Sequence, residues 1–168
     1  MSSLLSFNEV TKRFGGTLAV DNVSLDVERS SVLALLGENG AGKSTLIKLL
    51  AGVYSIDSGS IAFCGEPLAS ERSRDALAFI HQDLGLIDCM SAAENVAFGC
   101  GFARRGGLID WRAVRRRALE ALASVDANID PDTPVSELTR TEKSLLAIAR
   151  ALAKDARLIV LYEPTARL

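Results

Sequence analysis

The 168 residues include one histidine and three cysteines, and each shortage closes off a class of chemistry. Cys64, Cys89 and Cys100 are odd in number and form no C-x-x-C pair, which excludes a disulfide framework and a zinc site and leaves them as small core residues. His81, with no second histidine, has no partner for a nucleophile or metal set and reads as a partly solvated neighbour of Gln82. No run approaches the eighteen or so apolar residues of a membrane span, and the opening MSSLLSFNEV lacks a basic segment followed by an apolar stretch. The expectation is therefore a chain that stays in the cytosol unless a partner holds it at a membrane. Charge of one sign is also missing: 19 basic residues against 21 acidic give −2, so no nucleic-acid partner is expected. What remains, 48% hydrophobic and 24% charged, is the composition of a soluble globular chain with one ordinary core.

Hydrophobic patterning divides the chain. Residues 4–27 carry short alternating stretches, and in VSLDV the residues Val23, Leu25 and Val27 share one side, as in a half-solvated antiparallel sheet. VLALL, residues 32–36, does not alternate and runs into GENGAG, which predicts a strand covered on both faces that ends in a glycine-rich loop. A helix is predicted from Lys43 to Ala51, stopped by Gly52, with further strands at 60–64 and 77–80. Ser91 and Glu94 form a capping box, Asp110 caps a longer helix with Val114, Ala118, Ala121, Leu122 and Val125 on one face, and Thr139 with Glu142 forms a second box. The helix after that box is predicted to turn Leu145, Ile148, Ala149 and Leu152 inward. The arginines at 104, 105, 112, 115, 116 and 117 read as a solvated face with a few salt bridges, or as a docking surface for another chain. The helical block, residues 88–155, reads as an insertion on an α/β core formed by 1–87 and 156–168.

The most specific signal is GENGAGKS, residues 37–44, which satisfies G-x-x-x-x-G-K-[ST] between a predicted strand and a predicted helix. Glycines let successive backbone N–H groups turn inward toward phosphate oxygens, and the helix adds its positive end. Lys43 offers an ammonium to the β- and γ-phosphates, and the Ser44 hydroxyl completes a Mg²⁺ shell. A loop of this kind alone does not separate kinases, GTPases and transport ATPases.

Further landmarks narrow the field. Phe14 in TKRFGG, Gln82 in FIHQD, SELTRTEKSLLAIARAL at 136–152 and LIVLYEP at 158–164 follow the loop in an order that resembles the nucleotide-binding domain of ABC transporters. GENGAGKSTLIKLLAGVY, FIHQDLGLI, SAAENVAFG and LIDWRAVRRRA resemble the first cassette of importers for ribose and similar monosaccharides, in which two cassettes share one subunit. The resemblance implies an α/β P-loop NTPase fold: a RecA-like core, an N-terminal antiparallel β subdomain, an inserted helical subdomain, and a cassette incomplete at its C-terminal end. It implies ATP and Mg²⁺ as ligands. Phe14 would stack on adenine, while Gly37, Glu38, Asn39, Gly40, Ala41, Gly42, Lys43, Ser44 and Thr45 hold the phosphates. Ser44 and Gln82 would serve the metal, and Lys43, Gln82 and Glu163 the chemistry. The implied partners are a second cassette in a head-to-tail dimer, transmembrane permease subunits and, through them, a solute-binding protein, with the chain peripheral at the inner face of the membrane.

Two departures qualify the resemblance. Tyr162 stands where the family places an aspartate that orients the Mg²⁺ water shell, and a neutral phenol of pKa about 10 does not replace a carboxylate there. The family's Leu-Ser-Gly-Gly-Gln reads Leu138, Thr139, Arg140, Thr141, Glu142, so this helix start is either a weakened half-site or simply a well-capped helix. Phosphate binding is expected to survive where turnover suffers. Two rival readings stand beside transport: a nucleotide-binding module without turnover or a decayed gene product, and a soluble ABC-type or other P-loop NTPase.

Overall fold

The computed structural model describes residues 3–68, 76–80 and 84–161. The chain divides into two compact units, residues 1–75 and 76–168.

In the first unit, β1 (Leu5–Phe14) and β2 (Thr17–Val27) form an antiparallel hairpin, and β3 (Ser58–Phe63) and β4 (Glu66–Pro67) complete a sheet of order β2-β1-β3-β4. The alternation predicted for this region is present, but it slips twice. Phe7 and Val10 are both buried although three residues apart, because the ladder shifts between them and Glu9 takes a φ of 49°. Opposite it, Asn22 at φ 48° gives β2 a similar slip between buried Val20 and half-buried Val23. Side-chain hydroxyls satisfy the amides that the slips release: Glu9 N–H donates to Ser24 Oγ (3.0 Å) and Asn22 N–H to Thr11 Oγ1 (3.1 Å). Such bulges bend and twist a strand pair, which here redirects the end of the hairpin that carries Phe14.

Helix α1 (Lys43–Leu50) buries Leu46, Leu49 and Leu50. It ends as predicted at Gly52. The Gly52 N–H donates to Leu49 O (3.0 Å) and the Val53 N–H to Lys48 O (2.9 Å), a Schellman closure that requires the left-handed φ of 71° which Gly52 adopts. Beyond it, Asp57 fastens the chain back onto β1. Its carboxylate accepts from Lys12 Nζ (2.8 Å) and the Arg13 N–H (2.7 Å), and its own N–H donates to Thr11 O (3.0 Å).

The expected strand at 32–36 is a correction. These residues form no strand and pair with no described strand, with Val32 99% and Leu36 86% exposed. An apolar run becomes a covered strand only when ladder partners satisfy its backbone and other layers cover its side chains. VLALL has neither among the described residues.

In the second unit, β5 (Leu77–Ile80) and β8 (Leu158–Leu161) pair in parallel, Leu77 opposite Leu158 and Ile80 opposite Leu161. Between them the chain forms α2 (Ala92–Cys100), a short hairpin of β6 (Arg104–Arg105) and β7 (Leu108–Ile109), α3 (Trp111–Ala123) and α4 (Arg140–Ala153). Both capping boxes and the Asp110 cap are present, each cap worth about 1 kcal/mol. Ala92, Ala93, Val96 and Ala97 of α2 meet Val114, Ala118, Ala121 and Leu122 of α3 and Leu146 and Ala149 of α4; their small side chains let the helix axes approach closely. The inward face of α4 differs from the predicted one: Leu146, Ala147, Ala149 and Ala151 are buried while Leu152 is exposed. The reason is that α4 is covered on two sides, Leu146 and Ala149 by the other helices, Ala147 and Ala151 by a second cluster with Ile80. A single amphipathic stripe does not describe such a helix. Of the cysteines, Cys64 and Cys100 are half-buried but Cys89 is exposed, against its reading as a core residue.

Asn95 is the polar hub of this unit, with no exposed surface. Its Oδ1 accepts from the Ile87 N–H (2.8 Å), and its Nδ2 donates to Ile87 O (3.0 Å) and Ser91 O (3.0 Å). Arg150 performs a similar service for the segment before it, donating to Leu84 O and Gly85 O (both 2.7 Å); burial pulls its guanidinium below its usual pKa.

Two outcomes follow. Asn95→Ala strands the Ile87 amide and carbonyl, and denaturant unfolding should show a loss of about 2–3 kcal/mol. The Asp57 carboxyl is held below its ordinary pKa, first by the Lys12 hydrogen bond and then by the Arg13 N–H, so it binds protons less readily folded than unfolded. Wild type should therefore exceed Asp57→Asn in melting temperature above about pH 4, and the gap should close as pH falls through the depressed value.

Candidate functional site

The glycine-rich loop, residues 37–42, is largely exposed and runs directly into α1. Gly42 is the N-cap residue, at φ 86° and ψ 0°. No other residue fits there: a Cβ would lie 2.3 Å from Ala19 O on β2, so the loop backbone rests on the strand itself. A glycine N-cap supplies no capping side chain, and the first turn holds no acidic residue. The helix start therefore keeps its positive end, with no carboxylate in its own first turn to offset it. Ala41 N–H donates to Glu38 O (3.2 Å), curling the loop, and Lys43 reaches back over it, its Nζ donating to Gly37 O (2.6 Å) and Glu38 O (2.8 Å). Asn39 and Gly40 form the turn at the loop's tip, while Ser44 and Thr45 lie half-buried in the first turn of α1. All nine residues predicted for phosphate binding thus form one continuous loop and helix start.

Phe14 belongs to the same unit. It is the last residue of β1, 41% exposed, and pairs with Thr17. From Thr17 to Ala19, on which Gly42 rests, is two residues of strand, about 7 Å. The Phe14 ring stands nearly perpendicular to the Tyr54 ring, centroids 4.9 Å apart at 71°, with Lys12 Nζ 5.5 Å from its centroid. Sequence reasoning missed Tyr54; its signal was an aromatic two residues past the predicted helix stop at Gly52.

In the second unit, α4 opens at Thr139. Thr139 Oγ1 accepts from the Glu142 N–H (3.3 Å), and Glu142 Oε2 accepts from the Thr139 N–H (2.8 Å) and hydroxyl (2.7 Å). Those bonds, the hydroxyl's first, hold the Glu142 carboxyl below its usual pKa. Its charge is thus committed to the cap, and Arg140, the first helical residue, is exposed. The arginine face of α3 is solvated as read: Arg115 pairs with Asp132 (2.9 Å) and Asp130 (3.5 Å), and Arg117 donates to Ala153 O (2.8 Å) at the end of α4. His81, Gln82, Tyr162 and Glu163 lie outside the described residues. Among the described residues no group of three or more His, Cys, Asp or Glu side chains is placed to hold a metal, and no helix is long and apolar enough to cross a membrane.

The sequence profile of the family described as ABC transporter matches residues 20–166. The xylose import ATP-binding protein XylG of Yersinia pseudotuberculosis is 46% identical over 174 residues, covering all of this chain and 34% of its own length. The ribose import ATP-binding protein RbsA 2 of Rubrobacter xylanophilus is 46% identical over 164 residues, covering 95% of this chain and 32% of its own. The chain thus spans about a third of the length of these curated relatives. Among solved structures, CbiO1 of Clostridium perfringens, described as part of the ABC transporter complex cbiONQ, superposes with a TM-score of 0.85 at 28% identity, covering all of this chain and 68% of its own. The fold is accordingly that of the ABC-type P-loop ATPases, an α/β architecture with an antiparallel β-sheet. By profile, sequence identity and fold together, this chain belongs to the ABC transporter family.

Proposed function

We propose that the chain binds ATP at the loop of residues 37–45 and acts within the ATP-binding subunit of an importer for a monosaccharide. The observation that carries this reading is the Gly42 contact: a backbone pressed onto β2, at a helix start free of acidic side chains, is built for an anion. Lys43 holds two neutral carbonyls; phosphate oxygens offer its ammonium charged acceptors at the same loop, and charge-assisted bonds are about twice as strong. Phe14 stacks on the base at the hairpin end. The relatives' names, xylose and ribose import, support the sugar class.

Mg²⁺ fits this loop through the Ser44 hydroxyl, with Gln82 as the second proposed ligand. When bound, the ion neutralises charge developing on the phosphates. Glu163 is the proposed base for the attacking water, and Tyr162 beside it supplies no carboxylate for the metal's water shell. Loss of such a supporting group weakens metal sites about 10- to 100-fold. Tyr162 therefore favours a second reading, a module that binds nucleotide and releases little phosphate. On either reading the functional division is a β subdomain and core (1–87 and 156–168) with an inserted helical subdomain (88–155). The proposed partners are a second cassette, docked head to tail, and permease subunits that hold the chain at the cytoplasmic face of the membrane and couple it to a solute-binding protein.

Calorimetric titration of the folded chain with Mg²⁺-ATP should show saturable binding that falls at least about tenfold in Lys43→Ala. Gly42→Ala should abolish it while the β1–β2 hairpin persists, since the Cβ collides with backbone. Phosphate release should stay far below what the affinity implies and rise in Tyr162→Asp. Binding that is absent, or indifferent to Lys43, overturns the proposal; release that does not rise in Tyr162→Asp removes the role given to Tyr162.

A further inference from the structure

The phosphate loop and the aromatic at the hairpin end are joined by more than β2. Helix α1 has the loop at its N-terminus, and eight residues, about 12 Å, later its C-terminus delivers Tyr54 to Phe14. Three features fix that delivery. The Schellman closure at Gly52 sets the direction in which the chain leaves the helix, and the Tyr54 N–H remains on Lys48 O (3.4 Å). Lys48 Nζ lies 5.7 Å from the Tyr54 ring centroid, inside cation–π range. Three residues on, Asp57 is bonded to the Lys12 ammonium, the Arg13 N–H and Thr11 O, all in the last turns of chain before Phe14. Tyr54 is thus held between two anchors, one on the phosphate-loop helix and one on the strand that ends in Phe14.

We propose that Tyr54 is a positioning residue for a nucleotide base: braced against Phe14, it fixes that ring as a stacking platform at a set distance from the phosphate loop. This rests on the reading of residues 37–45 as a triphosphate site and adds the residue that determines how the base end is held. Phe14 keeps 41% of its surface exposed beside the brace, enough area for a base to cover. Without the brace the ring at the end of a two-strand hairpin gains rotamer freedom that a bound base must then remove. The ligand class is a nucleoside triphosphate, because only a ligand with both a base and a phosphate chain engages both ends of α1.

The test compares two ligands on the same folded chain: ATP, which has a base, and inorganic tripolyphosphate, which has none, each titrated calorimetrically with Mg²⁺ present. Tyr54→Ala should weaken ATP about three- to tenfold, the worth of one aromatic pair, and leave tripolyphosphate unchanged. Tyr54→Phe keeps the ring and should restore ATP affinity, and it also serves if the alanine variant folds poorly. Equal losses for both ligands, no loss for ATP, or a phenylalanine variant as weak as alanine overturns the proposal. A wild type that binds neither ligand brings it down together with the phosphate-site reading. A wild type that binds both, with both lost in Lys43→Ala, keeps that reading whatever Tyr54 does.

Discussion

The first unit depends on one close approach, that of the Gly42 backbone to the Ala19 carbonyl. A distance that leaves no room for a single carbon means the loop cannot shift along β2 without losing its seat, so the start of α1 is set by the sheet and not by its own capping chemistry. That matters because α1 is short: eight residues have little helical stability in isolation, and this helix has no side-chain cap. Its persistence comes from burying Leu46, Leu49 and Leu50 and from being fastened at both ends, by Gly42 on β2 and by the Gly52 closure leading to Asp57 on β1. The bulges at Glu9 and Asn22 belong to the same arrangement, since they turn the hairpin end whose tip is Phe14.

The second unit solves a different problem. Its helices are rich in alanine, which brings them close but buries little area per residue, so specificity has to come from polar contacts with few alternatives. Asn95 meets that need by satisfying both backbone groups of Ile87, and the two capping boxes fix where α2 and α4 begin. Arg150 adds a charged fork on Leu84 O and Gly85 O, where Leu84 carries a left-handed φ of 56° that a bulky residue adopts only under constraint. The same leucine packs with Ala147 and Ala151 of α4. Side chain and backbone of this segment are thus both held by one helix.

Features with local causes were legible in the sequence. The capping boxes at Ser91 and Thr139, the Asp110 cap, the Gly52 stop and the hairpin alternation all depend on residues a few positions apart, and all are present. Features with distant causes were not. VLALL has the composition of a buried strand, but pairing is decided by partners elsewhere in the chain, and no described strand supplies it. The inward face of α4 was misjudged because periodicity assumes one buried side, whereas Ile80 and the helical core claim two. Asn95 lay hidden one residue past a correctly read capping box, since an asparagine in a helix looks like a surface residue until its partners are known. The glycine-rich loop running into α1 was legible because its geometry is written in consecutive residues; the Phe14 to Tyr54 contact, forty residues apart in sequence, was not.

The departures from the family pattern fall unevenly on the two kinds of chemistry proposed here, and the reason is physical. The proposed anion cradle, made of backbone N–H groups, a glycine and one lysine, asks little of neighbouring side chains, so changes elsewhere in the chain would leave it standing. A metal and an attacking water are held by side-chain oxygens, where one carboxylate exchanged for a phenol removes a charge and adds bulk at the same point. At the start of α4 the family's two glycines are replaced by Arg140 and Thr141, between the capping-box residues Thr139 and Glu142, so side chains stand where the family pattern has bare backbone. On the proposed reading, nucleotide binding and hydrolysis rest on separable residues, and selection acting on one need not preserve the other.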